Sequence, residues 1–303
     1  MYFVFLRSTL IKPFFSIIIP TYNRSSVLTN AIKSVLQQRF TDFEIIVVDD
    51  GSVDGTKEVV ASLPDDCIRY FYQNNQGVCL ARNTGAQNAK GDYLIFLDSD
   101  DFVEQHWLED FYNVLKETSY DIVYCNIKMI YPNGTIKLME ANNPYGKPTK
   151  SNVKGLDMTG SWVVKKNLFF KAGMYDENIK FGENNELRLR FHYEKSRIGI
   201  VDKYNFIYNA SIDGGGKNYY NKLNSLMYIL DKHKEYYNQN TNSKKLFLQS
   251  AAVSAVRIGE IKKANELFKR ALWDNKGNIK LWIQFIISTN KYLAKLKWKS
   301  VNG

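Results

Sequence analysis

Two groups of residues have the types and spacing to do chemistry. The first is Asp98-Ser99-Asp100-Asp101, three carboxylates within four positions, directly after the apolar run Tyr93 to Leu97. Carboxylates this close repel one another unless a cation or hydrogen bonds offset the charge. A hard divalent cation held by one or two carboxylates and a substrate's phosphates accounts for such a cluster. So does capping by Asp100 and Asp101 of a helix over Phe102 to Lys116. The second group is Pro20-Thr21-Tyr22-Asn23 together with Asp49-Asp50-Gly51-Ser52. Carboxylates there can accept hydrogen bonds from a nucleobase N–H or from ribose hydroxyls. Neither a G-x-x-x-x-G-K loop nor a G-x-G-x-x-G turn follows the first apolar run, which argues against ATPase and dinucleotide chemistry.

These residues must be positioned by the elements that precede them. Phe14–Ile19, Phe43–Val48, Ile68–Tyr72 and Tyr93–Leu97 are apolar runs of strand length, rich in β-branched or aromatic residues. Between them lie helical spacings: one over Val27 to Leu36 capped by Ser25 or Ser26, one from Asp54-Gly55-Thr56 through Leu63, and one over Gly77 to Ala89. Alternation of this kind predicts a mainly parallel, Rossmann-like α/β sheet with right-handed crossovers. Its strand-end loops, holding Thr21, Asn23, Asp49, Asp50 and Asp98–Asp101, should converge on one edge. Downstream the pattern predicts a strand over Asp121–Ile130, a turn at Pro132-Asn133-Gly134 and a hairpin partner over Thr135–Met139. Residues 141–155 read as a loop, Val163–Ala172 and Asn185–Glu194 as helices, Gly199–Tyr208 as a strand, and Asp213 to Gly216 as a flexible loop. From Tyr219 onward the spacing is helical.

The chain of 303 residues is 45% hydrophobic and carries a formal net charge of +10. From Lys262 to the end, ten Lys and Arg face two acids, so the basicity is regional. Regional positive charge suggests an anionic membrane surface or nucleic acid, and only the charge speaks for nucleic acid. Lys291, Lys295, Lys297 and Lys299 interleave with Tyr292, Leu293, Leu296 and Trp298. That mixture suits residues 276–303 either to lie on an anionic membrane or to pack on the protein. Cys67, Cys79 and Cys125 are sparse, match no metal spacing and fit a reducing compartment as buried apolar residues. No run reaches the roughly 18–20 apolar residues of a membrane span. The expected location is cytoplasmic, with peripheral attachment to the inner face of the membrane as an option.

Four segments carry a specific resemblance: Ser16-Ile-Ile-Ile-Pro-Thr-Tyr-Asn-Arg24, Val48-Asp-Asp-Gly-Ser-Val-Asp-Gly-Thr56, Asn75-Gln-Gly-Val-Cys-Leu-Ala-Arg-Asn-Thr-Gly85 and Leu97-Asp-Ser-Asp-Asp101. In this order and at these separations they resemble family 2 inverting glycosyltransferases of the GT-A fold, over about residues 14–210. The resemblance implies an N-terminal extension (1–13), a GT-A catalytic domain (14–215) and a helical, basic C-terminal region (216–303). It implies a nucleotide-sugar donor, usually a UDP-sugar, a glycan or lipid-linked acceptor, and Mn2+ or Mg2+. Pro20, Thr21, Asn23, Asp49, Asp50, Arg82, Asp98, Ser99 and Asp100 would bind the donor. Arg82 would approach the diphosphate or pair with Asp98 or Asp49. Asp98 and Asp100 would form the metal-binding D-x-D pair, with Asp100 the direct ligand.

Inversion needs a carboxylate base to take the acceptor's proton. The stretch that resembles the family's base motif is Glu183-Asn184-Asn185-Glu186-Leu187-Arg188-Leu189-Arg190. Asn184 occupies the base position, and an amide has no useful basicity. The resemblance therefore leaves Glu183 or Glu186 as base, or a weakened enzyme that binds donor without efficient transfer. Trp162 and Arg190 fall on the acceptor side. Trp162 is expected either to stack on a sugar ring or to fill the core.

Overall fold

A computed structural model of the chain describes residues 12–63, 65–141, 158–210, 218–273 and 277–290, with 293, 297 and 298 beyond them. The N-terminal segment 1–11, the loops expected within 142–157 and 211–217, and most of the interleaved lysine tail lie outside the described residues. The chain divides into two compact units. One comprises residues up to Glu177 and Leu187–Ile212, the other Asn178–Glu186 and everything from Asp213.

The first unit is built on a nine-stranded sheet. Its strands are β1 (Phe15–Thr21), β2 (Phe43–Asp49), β3 (Ile68–Tyr72), β4 (Tyr93–Phe96), β5 (Phe102–Val103), β6 (Ile122–Ile130), β7 (Ile136–Met139), β8 (Trp162–Lys165) and β9 (Ile198–Asn209). They lie in the order β3-β2-β1-β4-β8-β6-β9-β5, with β7 on β6. The helices of this unit are α1 (Ser25–Leu36), α2 (Thr56–Ala61), α3 (Val78–Asn88), α4 (Trp107–Glu117), α5 (Lys166–Lys171) and most of α6 (Glu183–Tyr193).

The central strands are apolar on both faces because helices cover both. Ile17 and Ile19 of β1, Ile45 and Val47 of β2, and Ile95 of β4 join Leu28, Ile32, Trp107, Leu108 and Phe111 in one core. The alternate residues Ile18, Ile46, Val48, Leu94 and Phe96 join Cys79, Ala81, Ala86, Phe169, Leu187 and Phe191 in the other. Period-two alternation into two apolar layers is what a doubly covered sheet demands. All three cysteines are buried, as expected.

The strands β3, β2, β1 and β4 are mutually parallel. The chain winds outward from β1 through β2 to β3, then returns to place β4 on the other side of β1. The strand order reverses at this point, and ligands of open α/β sheets bind in the crevice outside the strand ends at such a reversal.

Beyond this parallel core the sheet continues as a mixed one, because β8 runs antiparallel to both β4 and β6. Three expectations are corrected. The helix expected over Val163–Ala172 begins only at Lys166. Trp162-Val-Val is a β-branched run too short for its periodicity to separate strand from helix, and pairing with two neighbours decides it. The helix expected from Phe102 starts at Trp107, since Phe102 and Val103 pair with Ile207 and Phe206 of β9. Asp100 and Asp101 are thereby removed from any capping role. The start of α1 is held by Asp54 of the next loop, whose carboxylate accepts from the Ser25 N–H (3.0 Å), and no side chain caps it from Ser25 or Ser26.

The second unit is helical: α7 (Tyr219–Lys232), α8 (Lys234–Gln239), α9 (Thr241–Arg257), α10 (Ile261–Trp273) and α11 (Ile279–Thr289). Small residues on α9, Ala251, Ala252 and Ala255, are buried, as are Ala264, Leu267, Phe268 and Ala271 of α10. The two helices form a hairpin turned at Gly259.

Candidate active site

The ends of β1 and β2 are sewn together before any ligand arrives. The Asp50 N–H donates to the Thr21 carbonyl (2.8 Å). Asn23 takes a left-handed conformation (φ 50°), its N–H donating to Ser52 Oγ (2.8 Å) and its Oδ1 accepting from the Val53 N–H (2.9 Å). Pro20 is buried beside them. Asp49 is buried, accepting from the Ser52 N–H (2.8 Å) and the Tyr70 hydroxyl (2.7 Å). Burial and then Asp49 push the Tyr70 phenol above its usual range. Asp49 therefore supports the loop. Asp50 accepts from Gln73 Nε2 (2.7 Å), the Gln76 N–H (3.0 Å) and the Gly77 N–H (2.8 Å), so it pins the entry to α3. Gly51 is required here: its φ is +88°, and a Cβ would stand 2.8 Å from the Asn75 nitrogen. Thr21 differs from its neighbours. It is 3% exposed, and its hydroxyl has no hydrogen-bond partner among the described residues. A buried hydroxyl left unmatched is costly unless a ligand completes it.

The end of β4 supplies the acidic cluster. Arg82, buried on α3, donates from Nη2 to Asp98 Oδ1 (2.8 Å), and its guanidinium lies 5.1 Å from the ring centroid of Tyr175. Thr159 Oγ1 donates to Asp98 Oδ2 (2.7 Å). Both Asp98 oxygens are thus held from within the protein. Asp100 Oδ2 lies 3.2 Å from Arg24 Nη1. Burial and then the Asp98 charge raise the Asp100 carboxyl above the ordinary range, and Arg24 opposes them. Asp101 is 2% exposed, accepts from the Asn209 N–H (2.9 Å) and is raised well above the usual value by burial and then by Asp98. The Tyr208 phenol is raised too, by burial and then by these three acids. Ser99 is buried between them. The crevice edge carries three neighbouring carboxyl groups, which Arg82 and Arg24 offset in part.

Comparison with known proteins places this geometry. Residues 16–171, just over half of the chain, match the model of Glycosyl transferase family 2. The chain belongs to glycosyl transferase family 2. It is 31% identical over 265 residues to an uncharacterized glycosyltransferase of Rickettsia conorii, covering 84% of this chain and 42% of that protein. It is 32% identical over 212 residues to the uncharacterized glycosyltransferase EpsJ of Bacillus subtilis, covering 66% and 62%. The chain thus spans less than two thirds of the length of either relative. The crystal structure of S. aureus TarS 1–349 in complex with UDP-GlcNAc superimposes with a TM-score of 0.61 at 18% identity, over 95% of this chain and 92% of that one. The fold is that of the GT-A glycosyltransferases, with the helical C-terminal region that the sequence leads one to expect.

The carboxylates at the end of β4 differ in what they offer a divalent cation. Asp100 keeps one carboxylate oxygen without a partner among the described residues, while each Asp98 oxygen already accepts one hydrogen bond, from Arg82 and from Thr159. No three His, Cys, Asp or Glu side chains among the described residues form a cage. A cation here would take Asp100 and draw its remaining ligands from substrate phosphates and water, the coordination Mg2+ favours. The expectation for Arg82 resolves to the ion pair with Asp98: its side chain is buried and orients that carboxylate.

The other expected site residues have different settings. Glu183 and Asn184 are half-buried in the first turn of α6, in the second unit. Glu186 is withdrawn as a base: it is 1% exposed and its Oε1 meets Lys232 Nζ (2.9 Å) and His233 Nε2 (2.8 Å) in that same unit. Trp162 is withdrawn as a sugar platform. It is 3% exposed and packs against Phe96 and Phe191, with ring centroids 5.8 and 6.1 Å away. Arg190 donates to the Ala172 carbonyl, closing the end of α5. Sequence reasoning missed Arg24, Gln73, Thr159, Tyr175 and Tyr208 as partners of these loop residues. Arg24 ends the first motif and could have been paired with an acid. The others lie too far away in sequence to signal it.

Proposed function

We propose that this glycosyltransferase moves a sugar, with inversion, from a nucleoside-diphosphate donor of the UDP-sugar class to a hydroxyl of a glycan or lipid-linked acceptor. The setting is cell-surface polysaccharide or glycolipid synthesis. The observation that carries the reading is the pocket at the strand reversal. There Asp100 keeps an oxygen for a cation, in the field of Asp98 and Asp101, beside the unmatched hydroxyl of Thr21. The TarS complexes with UDP and UDP-GlcNAc support the choice of donor class.

In this reading Thr21 and the loop pinned by Asp50 receive the base and ribose. Arg82 and Thr159 hold Asp98 so that Asp98 and Asp100 face the diphosphate together. Bound Mn2+ or Mg2+ would offset the charge that builds on the departing nucleoside diphosphate. Arg24, half-exposed beside Asp100, is free to exchange that carboxylate for a phosphate oxygen. Glu183 takes the acceptor hydroxyl's proton as the acceptor oxygen bonds to the anomeric carbon and the bond to diphosphate breaks. Thermal shift with a panel of nucleotide-sugars and Mn2+ tests the donor assignment. A bound donor raises Tm by mass action, and Asp100→Asn removes the part that depends on metal. Absence of a shift with every UDP-sugar would overturn it.

Asn184 favours a second reading, a donor-binding protein with weakened transfer. Asn184→Asp distinguishes the two: a sharp rise in turnover identifies the natural chain as weakened, and no change supports Glu183 as base. The same functional setting puts residues 276–303 on an anionic membrane surface at the inner face. No helix among the described residues is long and apolar enough to cross a membrane. Yet α11 exposes Ile279, Trp282, Ile283 and Ile286 at helical spacing, next to Lys280. Co-sedimentation with anionic vesicles, with and without residues 276–303, tests this. Equal binding would remove the idea.

A further inference from the structure

Gln73, the first residue after β3, ties three elements together. Its N–H donates to the Asp49 carbonyl at the end of β2 (2.9 Å). Its Nε2 donates to Asp50 Oδ1 (2.7 Å), and its Oε1 accepts from the hydroxyl of Thr84 on α3 (2.7 Å). Asp50 is buried, and Gln73 and Thr84 are half-buried. The direction of this chain of bonds is fixed by the charge at its end. A Gln73 amide turned about would set its oxygen against the Asp50 carboxylate, two acceptors with no proton between them. Thr84 then supplies the donor that the Gln73 oxygen needs. Hydrogen bonds that run in one sense toward a charged acceptor also polarise one another.

The consequence lies in what remains open on Asp50. A carboxylate offers about four acceptor positions, two on each oxygen. Gln73 and the Gln76 N–H fill both on Oδ1, and the Gly77 N–H fills one on Oδ2. Among the described residues that leaves a single position, on Oδ2. Without Gln73 the carboxylate would offer a ligand either oxygen. A uracil ring presents an N–H flanked by two carbonyls, whereas cytosine presents a bare ring nitrogen beside an amine. Carboxylates accept from that amine too, so the presence of Asp50 does not by itself separate the two bases. One acceptor position held in one place does, because it matches only one donor geometry.

We propose that Gln73, oriented by Thr84, is a specificity-determining positioning residue: it closes Asp50 Oδ1, so that the carboxylate reads a nucleobase N–H at Oδ2 alone and prefers a uracil-type to a cytosine-type donor. The inference rests on the proposed nucleotide site at Thr21 and Asp50.

UDP and CDP are titrated by calorimetry, with Mn2+, into the full chain and its variants. The wild type prefers UDP. Gln73→Met removes the N–H donor at similar length, and the preference narrows about tenfold, chiefly through lost UDP affinity. Thr84→Val keeps the side-chain shape and the helix propensity of α3 but strips the Gln73 oxygen of its donor. The preference narrows there too, and Thr84→Ser retains it. Gln73→Glu sets a second carboxyl against Asp50, and such a pair binds a shared proton as pH falls. Its UDP affinity relative to wild type is therefore low at about pH 8 and recovers toward about pH 5, where the protonated side chain donates to Asp50 again. A packing defect weakens UDP and CDP alike and shows no such recovery. Equal losses for the two nucleotides, an unchanged preference in Gln73→Met, or a wild type that does not distinguish them overturns the inference and leaves the nucleotide site standing. Failure of the wild type to bind UDP at all overturns the nucleotide site, and this inference with it.

Discussion

Asp50→Asn tests how the donor loop is held. The Asp50 side chain is 4% exposed and accepts three N–H donors, two at Oδ1 (2.7 and 3.0 Å) and one at Oδ2 (2.8 Å). An amide keeps the shape and turns one oxygen into a donor. In its better orientation the amide NH2 faces the Gly77 N–H, so two donors meet with no acceptor between them. One hydrogen bond to a charged group is lost, about 1.5–3 kcal/mol, and a buried donor is left unsatisfied, about 1–3 kcal/mol. The two costs overlap, because the second is part of how the first is measured, and the loop can shift. The expected loss is about 2–4 kcal/mol. Urea denaturation without nucleotide reads it as a lower midpoint at unchanged slope. A loss under about 0.5 kcal/mol, the scale of an ordinary surface substitution, would refute the three-donor geometry. Donor titration of the folded variant then tells whether Asp50 also touches the nucleotide.

Thr21→Val removes a buried hydroxyl that has no partner among the described residues; Tm should hold or rise, while UDP-sugar affinity falls about tenfold in calorimetry. Unchanged affinity would take Thr21 out of the donor pocket. Gly85→Ala places a methyl 2.4 Å from Ile18 Cγ2, where α3 meets β1. Overpacking of about 1–3 kcal/mol should exceed the gain of about 1 kcal/mol in helix propensity, lowering the urea midpoint. Asp54 sits at about 2, below its ordinary 3.8, chiefly through the Thr56 hydroxyl and also through the Ser25 and Thr56 N–H groups. A depressed carboxyl contributes stability that is full above its unfolded value and lost as pH falls through the folded one. The Tm gap between wild type and Asp54→Ala should therefore be open at neutral pH and close between about pH 4 and 2. A gap independent of pH would show that the carboxylate charge is not what joins α1 to α2.

The βαβ half of the first unit was legible because three of its four strands, β1, β2 and β4, are buried along their whole length. A fully buried strand writes a continuous apolar run, as in Phe15–Thr21 or Phe43–Asp49, and the acids that follow stand out against it. Past β4 the code weakens. Trp162–Lys165 is a four-residue strand whose identity depends on pairing with β4 and β6, information that no local window holds. The acids Asp98 and Asp100 could be found, and the family resemblance set Asp100 apart as the expected ligand and offered the Arg82–Asp98 pair. The second partner of Asp98 could not be found, because Thr159 lies 61 positions away, beyond any local window. Trp162 was ambiguous for a related reason, since an aromatic ring suits a core and a sugar equally until its neighbours are known.

The assignment of Asn178–Glu186 to the helical unit bears on how such enzymes can be cut and recombined. By sequence this segment lies inside the catalytic domain. By packing, the Lys180 N–H donates to Ser225 Oγ (2.9 Å), and Glu186 is buried against Lys232 and His233. The natural module is therefore discontinuous. A shortened protein ending before α7 would leave the Glu186 carboxylate without Lys232 and His233, and the Asn178–Glu186 segment without its scaffold. A chimera that swaps the C-terminal helices for those of a relative inherits the same fault unless it carries residues 178–186 along with them. Acceptor preference, if it resides in those helices, is then transplanted as a two-piece cassette and not as a tail.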